Sequence, residues 1–249
     1  MPDLPMRRFP VLGLALLAGA LLAAGPALAQ SVTLDLGAGG TTERALQLVA
    51  LITVLAVAPS VLVMATAFTR IVVVLSLLRS ALGTQTAPPT AVIVSLALFL
   101  TAFVMAPTGR AAYSAGIEPL IAGRITQAQA FERASAPFKT FMLRNVREKD
   151  LKLFLDLAKV PTPKGPDEIG LEIVTPAFMI SELRRAFEIG FLLFIPFLII
   201  DLVVASVLMA IGMMMVPPAS VSLPFKLIFF VLVDGWTLVA GSLVQSYGG

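Results

Sequence analysis

Residues Ile189–Val216, IGFLLFIPFLIIDLVVASVLMAIGMMMV, hold about 24 nearly continuous apolar residues, enough to cross a hydrocarbon core of about 30 Å as a helix. One carboxylate, Asp201, sits in the middle of this run. The run ends at Gly212 with Met213, Met214 and Met215 in succession, followed by Pro217 and Pro218. A membrane helix that carries an acid and leads into flexible thioether side chains reads as the wall or constriction of something that opens, rather than as a bare anchor.

The rest of the chain agrees with a membrane setting. Of 249 residues, 58% are hydrophobic and only 13% charged, against about 25% charged in ordinary soluble domains. Mean hydropathy is +0.95. The net charge is +3, and no basic run is interleaved with aromatics, so nucleic-acid binding is not expected. The chain has no His and no Cys, which excludes disulfides, thiolate or imidazole metal sites, and the usual catalytic triads. No metal or other cofactor is expected.

The N-terminus reads as a secretory signal. Arg7 and Arg8 precede the apolar stretch Phe9–Ala24, Pro26 breaks it, and Ala27-Leu28-Ala29 has the small-x-small form of a signal-peptidase site. Cleavage is expected after Ala29; the alternative is an uncleaved first helix. A cleaved signal places segment 108–185 on the periplasmic side, although it carries 12 Lys/Arg against 9 Asp/Glu. The positive-inside rule governs loops shorter than about 60 residues, so the signal decides the orientation. The turns at Gly83–Pro89 and Met213–Leu223 then face the cytoplasm.

Hydropathy divides the chain into a signal peptide (1–29), an extracytoplasmic lead-in (30–44), a first apolar hairpin (45–107), a periplasmic helical segment (108–185) and a second apolar hairpin with the Met loop (186–249). The expected fold is an all-α membrane protein with about four long apolar helices in two helical hairpins. Ala45–Thr69 is broken by Pro59, and Ile71–Leu78 lies between Arg70 and Arg79. Gly83–Pro89 is a turn, Ala91–Ala106 a helix ended by Pro107, and Pro224–Val244 the last apolar block. In the polar segment, apolar residues recur at helical spacing from Phe131 to Ala158, with Pro137 in the first turn and i,i+4 pairs Arg144–Glu148 and Glu148–Lys152. Pro161 and Pro163 end that helix. Its plain role is a helical cap that buries this stripe against itself or a neighbour.

Arg70, Asp201, Lys226 and Asp234 lie within or at the edge of apolar runs, where a central charge costs roughly 2.5–3.5 kcal/mol. Two bases against two acids favour ion pairing between helices or subunits over a proton path. Glu182 and Glu188, just before the third apolar run, are candidates to reach Lys226 of the same or a neighbouring subunit, and a Glu182–Lys226 contact is expected. Met213, Met214 and Met215, between the hinge residues Gly212 and Pro217-Pro218, form either a loop packed on lipid or partner, or a ring of soft side chains that closes a pore. Pro196 and Pro59 are expected to kink or break their helices.

Long motifs carry a resemblance. PAFMISELRRAFEIGF (Pro176–Phe191), IPFLIIDLVVASVLMAIGMMMVPP (Ile195–Pro218), LPFKLIFFVLVDGWTLVAGSL (Leu223–Leu243), PSVLVMATAFTRIVVVLSLLRSALGTQTAPP (Pro59–Pro89) and LALFLTAFVMAP (Leu96–Pro107) closely resemble the FliP family of flagellar export-gate proteins. The related injectisome family, SctR, fits the signal peptide less well. The resemblance implies an all-helical, non-enzymatic subunit of a homopentameric ring in the inner membrane at the flagellar basal body. It implies FliQ and FliR as ring partners, with FlhA and FlhB alongside. It further implies passage of unfolded flagellar proteins, driven by proton-motive force and a separate ATPase, and a gasket at Met213, Met214 and Met215. It also implies helices that belong to a spiral assembly with protein neighbours, more than to isolated spans. The alternatives are the same role in a virulence injectisome and a proton-coupled small-solute transporter using Asp201 and Asp234, against which the absence of inverted repeats weighs. An Asp201–Asp234 carboxyl pair of a membrane protease is the remotest, because DLVVAS and DGWTLV lack its surroundings.

Overall fold

The computed structural model describes residues 63–160, 163, 165, 168–213 and 215–248, with scattered positions between 45 and 60. The signal peptide, the lead-in, Pro59 and Met214 lie outside the described residues. Two compact units divide the chain at Val54/Leu55. In the first, the described positions from Ala45 to Thr53 are helical, and the Thr53 hydroxyl donates to the Val49 carbonyl at 2.8 Å. The second unit holds all the remaining described helices.

Every regular element among the described residues is helical. In chain order the elements of the second unit are α1 (Phe68–Ala81), α2 (Thr90–Ala112), a π-helical turn (Tyr113–Ile117), α3 (Glu118–Ile121), α4 (Gln127–Asn145), α5 (Glu148–Leu157), α6 (Leu171–Ala210), α7 (Pro218–Leu232) and α8 (Gly235–Gln245). Thr90–Ile121 and Leu171–Ala210 are long and apolar enough to cross a membrane, and α7 with α8 forms a third such element bent by 63°. The chain is an all-α membrane protein.

The proline expectations require correction. Pro107 does not end its helix: α2 runs on to Ala112 and continues through the π turn into α3. Gly116 lets that turn press on α4, since a Cβ there would stand 2.5 Å from the Ala130 carbonyl. Pro196 does not break α6, which is one helix of 40 residues containing both Pro176 and Pro196. An interior proline costs about 3 kcal/mol. The cost at Pro196 is offset by packing, because neighbouring Phe197 is buried with its ring edge-on to Phe229 and tilted against Phe230. The boundary expected at 185/186 therefore falls inside a helix.

The polar segment also differs. The single stripe from Phe131 to Ala158 is two helices, broken at Val146-Arg147 where the backbone is extended. Arg144 and Glu148 end on different helices, and Pro137 lies mid-helix, not in a first turn. The true start is set by a capping box between Thr126 and Gln129. The last apolar block begins earlier than expected, at Pro218, and breaks at Asp234.

α6 is the axis of this unit. It runs parallel to α1, as the successive contacts Thr69–Met179, Arg70–Glu182 and Leu77–Gly190 show. It runs antiparallel to α7 and α8, from Asp201 against Lys226 to Glu182 against Tyr247. One apolar core joins Ile71, Val74 and Leu78 of α1 to Phe197, Phe230 and Leu243; a second, around Met142, Val174 and Phe178, seats α4 on the N-terminal half of α6.

Candidate functional site

Three polar clusters are strung along α6. In the first, Arg70 and Glu182 are buried and joined by two hydrogen bonds, Nε to Oε2 at 2.9 Å and Nη2 to Oε1. The chain's last turn seals them. Arg70 Nη1 donates to Ser246 Oγ at 2.9 Å, its guanidinium lies 3.8 Å above the Tyr247 ring, and the Tyr247 hydroxyl donates to Glu182. Burial, with Glu182 beside it, holds the Tyr247 hydroxyl far above its usual titration range, so it remains a donor.

The second cluster joins α6 to the α4–α5 break. Ser181 is fully buried; its hydroxyl donates to Asp150 Oδ2 at 2.7 Å and accepts the Arg147 backbone N–H at 3.1 Å. Arg147 closes a fork on Asp150 at 2.8 and 3.0 Å. Burial pushes the Asp150 carboxyl up, but the donors Ser181 and Arg147 outweigh it, and the net displacement is downward. Adjacent residues of one helix thus serve different neighbours: Ser181 holds α5, while Glu182 holds α1 and the C-terminal turn.

The third cluster lies deep in the apolar half. Asp201 accepts from Lys226 Nζ at 2.6 Å and from Ser222 Oγ at 2.6 Å, and Lys226 also donates to the Ala81 carbonyl at 3.3 Å. Lys226 is buried, whereas the Asp201 side chain is 37% exposed. Among the described residues no buried side-chain nitrogen or oxygen lacks a partner.

Of the six charges expected to pair, the structure joins four, Arg70, Glu182, Asp201 and Lys226, but not in the order expected. Glu182 meets Arg70, not Lys226, which is held by Asp201. Both oxygens of Glu182 are already taken in a fully buried site, and a contact with Lys226 would strip Arg70. Within one chain Glu188 does not reach Lys226 either; it is exposed and accepts from Arg184 at 2.9 Å, with Arg147 at 3.8 Å. Spacing along one helix does not reveal that α1 lies parallel to α6, and this arrangement is what selects Arg70. Asp234 is exposed in a left-handed conformation, φ 51°, at the α7–α8 break.

Sequence reasoning misses Ser181, Asp150, Arg147, Ser222 and Tyr247. Serines in apolar helices are the available signal, because a hydroxyl there either bonds back to its own helix or satisfies a neighbouring charge.

At the far end of α6 the helix closes in a Schellman motif: Gly212 is left-handed at φ 80°, its N–H meets the Met209 carbonyl at 3.1 Å, and the Met213 N–H meets Leu208 at 3.0 Å. Pro217 and Pro218 then set the start of α7. Between them Met213 is 46% and Met215 98% exposed. The loop is held at both ends while its described thioethers project outward.

Residues 51–243 match the model of the FliP family. The chain belongs to that family. A flagellar biosynthetic protein FliP of Caulobacter vibrioides is 62% identical over 235 residues, covering 94% of this chain and 88% of that protein. The FliP of Bacillus subtilis is 52% identical over 201 residues, 81% of this chain and 91% of that one. The FliP of Aquifex aeolicus is 49% identical over 230 residues, 91% and 96% respectively. Membership makes the chain a membrane-associated component of flagellar biosynthesis and the export apparatus, not an enzyme. The three clusters and the Met loop all fall within the stretch matched by the FliP family, save the closing residues Ser246 and Tyr247.

Proposed function

We propose that the chain is the pore-forming structural subunit of the flagellar type III export gate, passing unfolded flagellar proteins across the inner membrane. In this reading several copies, a pentamer, form a ring with FliQ and FliR, FlhA and FlhB stand nearby, and the Met loop of each copy contributes to a gasket. The observation that carries the reading is the Met215 side chain, 98% exposed on a loop anchored by a Schellman motif and two prolines. Thioethers are unbranched and deformable, so several of them meeting at one point close a gap and yield to a passing chain. The broad apolar exposure of α6 and α7, including Phe191, Leu202, Val203, Ile228 and Val231, supports coverage by other subunits or lipid.

The test is a deletion strain assayed for hook-protein export, with and without the gene restored. Export and swimming are expected to be lost and rescued; normal export in the deletion strain overturns the reading. In a restored strain, Met213→Ala with Met214→Ala and Met215→Ala is expected to raise ion leak through the membrane while the protein level stays unchanged. Unaltered leak removes the gasket.

A further inference from the structure

Arg79 lies in the last turn of α1, four residues after Leu75 and hence on the same helix face. Its guanidinium donates from Nη1 alone, to Thr90 Oγ1 at 3.0 Å and to the Pro88 carbonyl at 3.5 Å. Among the described residues Nε and Nη2 donate to nothing, and no carboxylate pairs with the group. Its own hairpin supplies none, since residues 68–117 contain neither Asp nor Glu. The free Nε–Nη2 edge is a fork that grips a carboxylate or phosphate through two parallel hydrogen bonds.

Thr90 is the first residue of Thr90–Ile121, a stretch long and apolar enough to cross a membrane. The bond to Thr90 therefore fixes the guanidinium at one end of a span, the level at which lipid headgroups begin. Beside it opens an apolar cleft of about 170 Å³, lined by Leu75, Pro88, Val92, Ile93, Leu96 and Trp236. Pro88, which takes the Arg79 bond, marks the mouth. Leu96 lies about 9 Å beyond Thr90 into the span, at about 1.5 Å per residue. The walls present no polar surface. Trp236, 43% exposed, supplies the amphipathic ring that favours a membrane–water boundary.

We propose that this cleft holds an anionic phospholipid, its phosphate on the Nε–Nη2 edge of Arg79 and an acyl chain along Val92 and Leu96. Charge complementarity selects the headgroup: a cation with a free fork meets an anion with paired oxygens. The walls select the tail, because a hydrocarbon chain leaves no polar group unmet where the protein offers neither donor nor acceptor. A free phosphate ion would use the mouth and leave the walls bare. The site requires only that the chain sits in a membrane, and it stands apart from the gate reading.

Trp236 is the chain's one tryptophan, so its fluorescence reports on the cleft. The full chain, reconstituted in phosphatidylcholine vesicles, is titrated with phosphatidylglycerol or phosphatidylcholine brominated on the acyl chains, bromine being a contact quencher. Brominated phosphatidylglycerol is expected to quench at a mole fraction about fivefold lower than brominated phosphatidylcholine. Arg79→Gln is expected to bring the two curves together, and Arg79→Lys, which keeps the charge and loses the fork, to fall between. Arg110→Gln, about 30 Å from Thr90 along α2, is expected to leave the curves apart. Equal quenching in the parent, a preference that survives Arg79→Gln, or one lost equally in Arg110→Gln overturns the proposal. Quenching by neither lipid means that another copy of the chain fills the cleft, and overturns it too. In the unsubstituted chain, added salt is expected to narrow the gap, and inorganic phosphate to narrow it no more than chloride at equal ionic strength. A gap indifferent to salt overturns the charge contact, and one closed selectively by inorganic phosphate assigns Arg79 to a free anion instead. These salt measurements decide the matter even where Arg79→Gln fails to fold.

Discussion

The two halves of α6 are built on different terms. The N-terminal half is enclosed: Ser181, Glu182 and Ala186 are fully buried, a charge pair ties this stretch to α1, and hydroxyl–carboxylate hydrogen bonds tie it to α5 and to the C-terminal turn. The C-terminal half, beyond Gly190, shows its apolar side chains to the outside, and its one charge cluster, at Asp201, is half open. The difference teaches that the polar groups near this helix do not mark a path through it. They fix the elements that the chain folds for itself, and the bare half is left for whatever surrounds the subunit.

This contrast can be broken by substitution. The largest effect is expected for Glu182→Ala, which leaves Arg70 buried without its carboxylate and removes the acceptor of Tyr247; breaking such a pair costs about 3–5 kcal/mol. The measurement is steady-state level in the membrane together with thermal stability in detergent, and a loss smaller than that of Asp201→Ala reverses the ranking of the two halves. Asp201→Ala comes second, at about 1–3 kcal/mol, because Ser222 and Lys226 lose their acceptor while Lys226 keeps the Ala81 carbonyl.

Acid gives a smaller effect with a definite sign. The Asp150 carboxyl titrates below its ordinary 3.8 in the folded chain. Its contribution is therefore complete above the unfolded value and lost as pH falls through the folded one. The stability gap between the parent and Asp150→Asn should stay constant above about pH 5 and shrink below 3.8. A gap that widens with acid contradicts the assigned donors Ser181 and Arg147. The smallest effect is expected for Met215→Ala, whose side chain is 98% exposed: melting of the isolated subunit should not change. A marked loss there would mean that the loop is part of the subunit's own packing.

Much is legible from hydropathy and composition. The long apolar run from Ile189 and the turn at Gly83–Pro89 stand where the sequence places them, and the Met loop opens at Gly212 as expected but closes at Pro217 rather than Leu223, since run length and Gly/Pro punctuation act locally. The prolines at 107 and 196 mislead because a lone missing hydrogen bond is outweighed by burial that only the packed chain supplies. The charge partners mislead for a related reason. The identity of Glu182 and Lys226 as paired groups follows from their apolar neighbourhood, but their partners depend on which helix lies alongside and in which direction.

The sequence by itself determined that this chain is helical, that it is apolar enough for a membrane, that its buried charges must be matched, and that it belongs among flagellar biosynthetic proteins, because each of these follows from residue type, run length or motif. Only the tertiary structure decided that α6 is continuous, that Arg70 takes Glu182 while Lys226 takes Asp201, and that Tyr247 closes the first pair. A salt bridge depends on atoms within a few ångströms, and residues 112 or 25 positions apart reach that distance through packing alone.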